Sequence, residues 1–121
     1  MKKRDIVTKN QDFSKIIQNR KYIKNNLFVI YYKENNLTNT RYGISVSKKI
    51  GNAVVRNKIK RQMKNIIDKN KNLFKKETDY IIIIRKGILD CDYHQIESNL
   101  INLFKYNNWR WKKWKKRRVK Y

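Results

Sequence analysis

The sequence predicts an α+β domain in which helices pack on one small sheet, and three observations carry that reading. Two stretches have strand character: LFVIYY at 27–32 and the four consecutive isoleucines at 81–84. Three other stretches repeat apolar residues at the three- and four-residue spacing of one helix face. These are Phe13, Ile16 and Ile17; Val55, Ile59, Met63, Ile66 and Ile67; and Ile96, Leu100, Leu103 and Phe104. Finally, the 121 residues contain no proline, no internal repeat and no linker-like segment, so the length is that of one domain.

Taken in order, residues 1–9 read as a basic arm without regular structure. Asn10 or Asp12 can cap a first helix ending near Arg20. Residues 22–24 suit a short edge strand. In the strand at 27–32, alternation sends Leu27, Val29 and Tyr31 to one face and Phe28, Ile30 and Tyr32 to the other. ENNLTNT then reads as the turn into a second strand at 41–47, antiparallel to the first. Gly51 breaks that strand, and Asn52 caps a helix running to about Asn70. The isoleucine run, within 79–85, reads as a central strand buried on both faces. Asp92 caps a third helix from about Tyr93 to Tyr106. The order is α, β, β, α, β, α, with the edge strand in addition.

The formal charge of +23 exceeds any requirement of solubility and implies a polyanionic partner. The last thirteen residues, WRWKKWKKRRVKY, hold eight of the 32 Lys and Arg, and the remainder still carries 24 basic against nine acidic residues. Nucleic acid is therefore the leading partner class. The interleaved Trp and cations of the tail suit stacking on bases with phosphate contacts. The same composition also fits a solvated basic tail and, less well, an anionic membrane surface. Cys91 is the only cysteine and His94 the only histidine, which excludes an intrachain disulfide and a Cys/His zinc site. Cys91 reads as a small filler. No apolar run is long enough to span a bilayer and no secretory signal follows MKKR, so the chain is read as cytoplasmic.

The helix after Asn52 concentrates the charge. Asn57, Arg61 and Lys64 share one stripe, with Arg56 and Lys60 in the next row, opposite the apolar face. Cations in its opening turns oppose the helix dipole. That cost points to an external anion as the reason for their placement. The acids Asp5, Asp12, Asp68, Asp79, Asp90 and Asp92 are scattered, and several read as caps or solvated loop positions. No convergent carboxylate set suits a two-metal nuclease, and GISVSKKIGNA lacks the spacing of a phosphate-binding loop. No catalytic centre is expected in the protein itself.

Residues 41–64, RYGISVSKKIGNAVVRNKIKRQMK, resemble the signature of the bacterial ribonuclease P protein component: R-x-G-x-x-V-x-K-K-x-G-x-A-V followed by R-N-[RK]-x-K-R. The resemblance extends through MKKR, Phe13, LFVIYY, DYIII-x-RK and LFK at 103–105. It covers residues 1–106 as one domain and leaves 107–121 as a basic, Trp-rich tail. It implies an α-β-β-β-α-β-α order of the ribosomal protein S5 domain 2-like type, with a left-handed βαβ crossover through the basic helix.

The resemblance further implies a protein cofactor that binds a catalytic RNA and the 5′ leader of precursor tRNA. The RNA would hold the Mg²⁺ and remove the leader, so the ribonucleoprotein, not the protein alone, is the endonuclease. Carried over by position, Arg56, Asn57, Lys58, Lys60, Arg61 and Lys64, together with Lys48, would face the catalytic RNA. Phe13, Ile17, Tyr31, Ser45 and Lys49 would line the leader cleft. No metal ligand, membrane contact or protein partner is implied. Lys58 and Lys64 stand where Arg is common, which keeps charge but loses the bidentate fork. Ile17 stands where an aromatic is common. The rival readings are a ribosomal or general RNA-binding protein, a DNA-reading protein using the basic helix, and a protein-only nuclease.

Overall fold

The computed structural model describes residues 5–7, 10–37 and 39–107, and the helical backbone of 108–120. Helix α1 spans Asn10–Gln18, followed by strands β1 (Tyr22–Lys24), β2 (Phe28–Glu34) and β3 (Arg41–Ser45). Helix α2 (Ala53–Lys69), strand β4 (Thr78–Ile84) and helix α3 (Tyr93–Lys120) complete the order, with short 3-10 turns at Lys71–Leu73 and Lys86–Asp90.

The four strands lie in the order β1-β2-β4-β3. β2 pairs antiparallel with β4 from Phe28 opposite Ile84 to Glu34 opposite Thr78. β3 pairs parallel with β4, from Arg41 opposite Asp79 to Ser45 opposite Ile83. The two strands β2 and β3 run antiparallel as expected, and β4 lies between them. The isoleucine run explains the insertion. Ile82 and Ile84 join the main core under α2 and α3, while Ile81 is buried on the opposite face with Val7 and Ile16. A strand apolar on both faces has to be central.

The main core gathers Ile59, Met63, Ile66 and Ile67 of α2 and Ile96, Leu100, Leu103 and Phe104 of α3 against Phe28, Ile30, Tyr42, Tyr80 and Ile82. Phe74 sits at the hub of its rings, with centroids 5.0 Å from Tyr42, 5.0 Å from Tyr80 and 4.7 Å from Phe104. Burial, the largest influence, pushes the phenols of Tyr42 and Tyr80 up to about 12. Of the three capping expectations two hold, and the third is corrected: Asn10 and Asp12 lie within α1 rather than ahead of it. Asn52 Oδ1 accepts from Val55 N at 3.0 Å. Asp92 and Gln95 form a reciprocal capping box at 2.8 and 2.9 Å.

Several expectations are corrected. Residues 5–7 are not a loose arm: Val7 is buried, its N–H donates to Tyr42 O at 2.8 Å, and Ile6 bridges Tyr42 in parallel. Edge strand β3 supplies the free backbone groups they use. Residues 1–4, 8 and 9 lie outside the described residues. Leu27 precedes β2 and joins the main core rather than the face of Tyr31. Its bend is set by Asn25, whose Oδ1 accepts from both Leu27 N and Phe28 N at 2.9 Å. Helix α3 does not stop near Tyr106, because no glycine or proline ends it and Asn107 Nδ2 donates back to Leu103 O at 2.8 Å. The side chains assigned to the Trp-rich tail, 109–121, lie outside the described residues.

Asp79 is neither a cap nor solvated. It is 5% exposed and takes a fork from Arg41, Nε to Oδ1 at 2.8 Å and Nη2 to Oδ2 at 2.6 Å. Asn35 Nδ2 adds a third bond at 2.7 Å, and Arg41 Nη1 reaches Asp12 of α1 at 3.6 Å. One carboxylate thus joins α1, the β2–β3 connection, β3 and β4. Hydrogen bonding to Asp79 is the largest influence raising the Arg41 pKa above its already high ordinary value.

Asp79→Asn places an amide donor against one of these donors and should cost about 3 kcal/mol in denaturant unfolding. For Tyr42 and Tyr80 the neutral form is favoured on folding, so their stabilisation is intact below pH 10 and lost as pH rises toward 12. A phenolate absorbance titration should show a late-ionising class released together with the helical signal. The loss should be on the order of 2–3 kcal/mol for each ring.

Candidate nucleic-acid interface

Helix α2 orients the basic residues because its other side is fixed. Ile59, Met63, Ile66 and Ile67 are buried, so Asn57, Lys58, Arg61 and Lys64 are exposed and Arg56 and Lys60 are half-buried at the margins. No acidic residue occupies the first turn. Arg56 Nε is buried, and no acceptor for it is found among the described residues. Lys48 and Lys49 are exposed on the turn after β3, which is pinned by buried Val46 and Ile50 and closed by Ile50 N donating to Ser47 O at 3.1 Å.

The leader residues belong to the opposite face of the sheet. Phe13 and Tyr31 are half-buried and pack on the small cluster of Val7, Ile16 and Ile81. Gly43 makes the seat of Phe13: a Cβ there would lie 2.7 Å from Phe13 Cζ and 2.8 Å from Ile81 Cδ1. The glycine of the signature thus serves a close approach between α1 and β3. Ile17, one turn beyond Phe13, is 36% exposed. Ser45 is half-buried, in register with Ile83, which in turn faces Val29 on β2.

Those registers give the cleft a floor. One row across the sheet is Gly43, Ile81, Tyr31 and Tyr22; the next is Ser45, Ile83, Val29 and Lys24. Helix α1 covers the first row through Ile16, whereas Ser45, Ile83 and Val29 stay only half-buried. Val29 and Ile83 were missed from sequence, because strand alternation gives the face of a residue but not which part of that face a short helix covers.

The two surfaces meet around the edge of β3. Phe13 and Val7 from one side and Lys60, Lys64 and Ile44 from the other line a common groove of about 170 Å³ with Ile6 and Tyr42. Phe13 and Tyr31 are thus brought together, and Phe13 is linked to the basic stripe. Lys48, Lys49 and Ser45 follow along β3 and its turn. Among the described residues no three His, Cys, Asp or Glu gather as metal ligands, and no helix is long and apolar enough to cross a membrane.

A cationic helix and a half-open aromatic sheet face, joined around one edge strand, define an α+β protein built to bind nucleic acid. The family model for ribonuclease P matches residues 1–107. The chain belongs to the ribonuclease P protein family, whose members are the protein component of that ribonucleoprotein. It is 47% identical over 106 residues to the ribonuclease P protein component of Mycoplasma mycoides subsp. mycoides, covering 87% of this chain and 97% of that one. It is 42% identical over 106 residues to that of Listeria monocytogenes, covering 87% and 89%. Among solved structures it resembles the RNase P protein of Staphylococcus aureus, with TM-score 0.78, 36% identity and coverage of 85% and 94%. It also resembles that of Thermotoga maritima, with TM-score 0.75, 32% identity and coverage of 83% and 94%.

Gly43→Ala should cost about 1–3 kcal/mol through overpacking. In a Phe13→Leu background, which removes the contacting ring carbon, the same change should cost less. A double-mutant cycle of unfolding free energies measures that coupling.

Proposed function

We propose that this chain is the RNA-binding cofactor that lets a catalytic RNA remove the 5′ leader of precursor tRNA. The observation that carries the reading is the adjacency of two surfaces. The exposed stripe of Asn57, Lys58, Arg61 and Lys64 on α2 suits the phosphates of a structured RNA. The half-covered floor beside Phe13 and Tyr31 suits unpaired bases, which stack without strict sequence reading. The groove around β3 makes one continuous track of the two.

On this reading the α2 stripe, Arg56 and Lys60 at its margins, and Lys48 face the catalytic RNA. Phe13, Ile17, Tyr31, Ser45 and Lys49 hold the leader. Hydrolysis and Mg²⁺ are assigned to the RNA, since the described acids do not converge on a site. The protein supplies positive potential, which gathers RNA and offsets repulsion between leader and catalytic RNA. A cytoplasmic setting and independence of other protein partners complete the proposal.

The test is cleavage of precursor tRNA by the cognate catalytic RNA at low Mg²⁺, with and without the protein. A large gain, with no cleavage by the protein alone, is the expected result. Tight RNA binding without gain would instead indicate a general RNA-binding role. Arg61→Ala should weaken association with the catalytic RNA and lower the salt slope by about one. Phe13→Ala should weaken binding of leadered substrate about tenfold, the scale of one lost stack, relative to mature tRNA. Equal loss on both substrates would sink the cleft assignment.

A further inference from the structure

Tyr22 stands out among the exposed aromatics because the fold sets it at the end of the same track. It lies directly opposite Tyr31 in the β1–β2 register, with ring centroids 5.3 Å apart and planes tilted by 45°. Tyr31 is half-buried against α1, yet Tyr22 is 47% exposed. A ring so open contributes little to the core. It presents a π surface next to one already in the cleft.

Its position is fixed rather than incidental. The chain leaves α1 through Arg20, which adopts a left-handed conformation with φ 59° and donates its N–H to Ile17 O at 3.1 Å. Asn19 Nδ2 donates to Tyr32 O at 3.3 Å, and Tyr32 N to Lys21 O at 3.0 Å. The end of α1 is thereby tied to β2, and Tyr22 follows immediately on β1. Along the strands, Lys24 and Lys33 lie two residues from Tyr22 and Tyr31 on the same face, so the ring pair is bracketed by exposed cations. Aromatic rings on an open sheet face between cations form a platform for unpaired bases.

We propose that Tyr22, backed by Tyr31, stacks one further base of the leader at the β1 edge. The row from Gly43 under Phe13 to Tyr22 spans three strand spacings, about 14 Å, enough to separate this base from one at Phe13. This inference rests on the cleft reading above and adds a position to it.

The test uses the full chain assembled with its cognate catalytic RNA and precursor tRNAs whose leaders grow one nucleotide at a time. Wild-type affinity should rise in a step at the length that reaches the β1 edge. Tyr22→Ala and Tyr22→Leu should each remove that step, a loss of about fivefold or more at long leaders relative to short ones. Tyr22→Phe should keep it. A step that persists in Tyr22→Ala, its absence in the wild type, or an equal loss at every leader length would overturn the subsite. Equal loss would mark Tyr22 as a cross-strand packing residue only. Phe13→Ala separates the two levels: leader-specific loss there, with none at Tyr22, overturns this subsite alone. No leader-specific loss at either residue overturns the cleft reading as well.

Discussion

Strand β4 is apolar on both faces, and the rest of the architecture follows from that. Its isoleucines need cover above and below, so α2 and α3 occupy one side and α1 the other. The two covers are unequal. α1 has nine residues, about 13 Å of helix, over four strands that together measure about 14 Å across and, at β4, about 23 Å along. Such a helix cannot close the sheet face. The floor of Val29, Ile83 and Ser45 is left half-open as a geometric consequence, and that opening is the cleft.

The cations are stable where they stand because the same elements anchor them from behind. α2 tolerates a cationic start because the Asn52 cap satisfies a free N–H and four buried side chains hold its far face. The basic residues also divide by role. Arg41 opens the signature, yet its fork is spent on Asp79, which fastens α1 and the β2–β3 connection to the sheet. A buried carboxylate that is two-pronged and three times hydrogen-bonded sets geometry. By holding α1 in place, it sets where Phe13 stands over Gly43.

Much of this was legible in the sequence because it is local. The stripe of α2, the caps at Asn52 and Asp92, and the double burial of β4 each follow from spacing within one segment. What escaped was long-range. Alternation could not show that β4 enters between β2 and β3, because it gives the faces of a strand and not its neighbours. Nothing in the sequence pattern joined Arg41 to Asp79, 38 residues later. Residues 5–7 read as a loose arm because their partner, the free edge of β3, exists only once the sheet is ordered. Tyr22 read as a mere edge residue until the register set it against Tyr31. The cleft residues came from the family resemblance, whereas the α2 stripe was legible in its spacing; that Phe13 meets Lys60 and Lys64 in one groove beside β3 emerges only from the fold.

The charge of the chain gives salt two opposed effects. In the free protein, screening weakens self-repulsion among the cations and favours the folded state. In the ribonucleoprotein, the same ions compete for the phosphates and weaken association. RNA removes the conflict, because binding the folded state both neutralises the cations and draws the folding equilibrium toward it. The apolar core therefore has to hold the chain only well enough to present α2 and the cleft. The ring cluster around Phe74 and the Asp79 fork do this, and Tyr42 of that cluster also lines the groove beside β3. Three of the nine acids are committed within the scaffold, and so do not oppose the positive potential of α2: Asp79 to Arg41, Asp92 to the cap of α3, and Asp12 to the margin of the Arg41 fork.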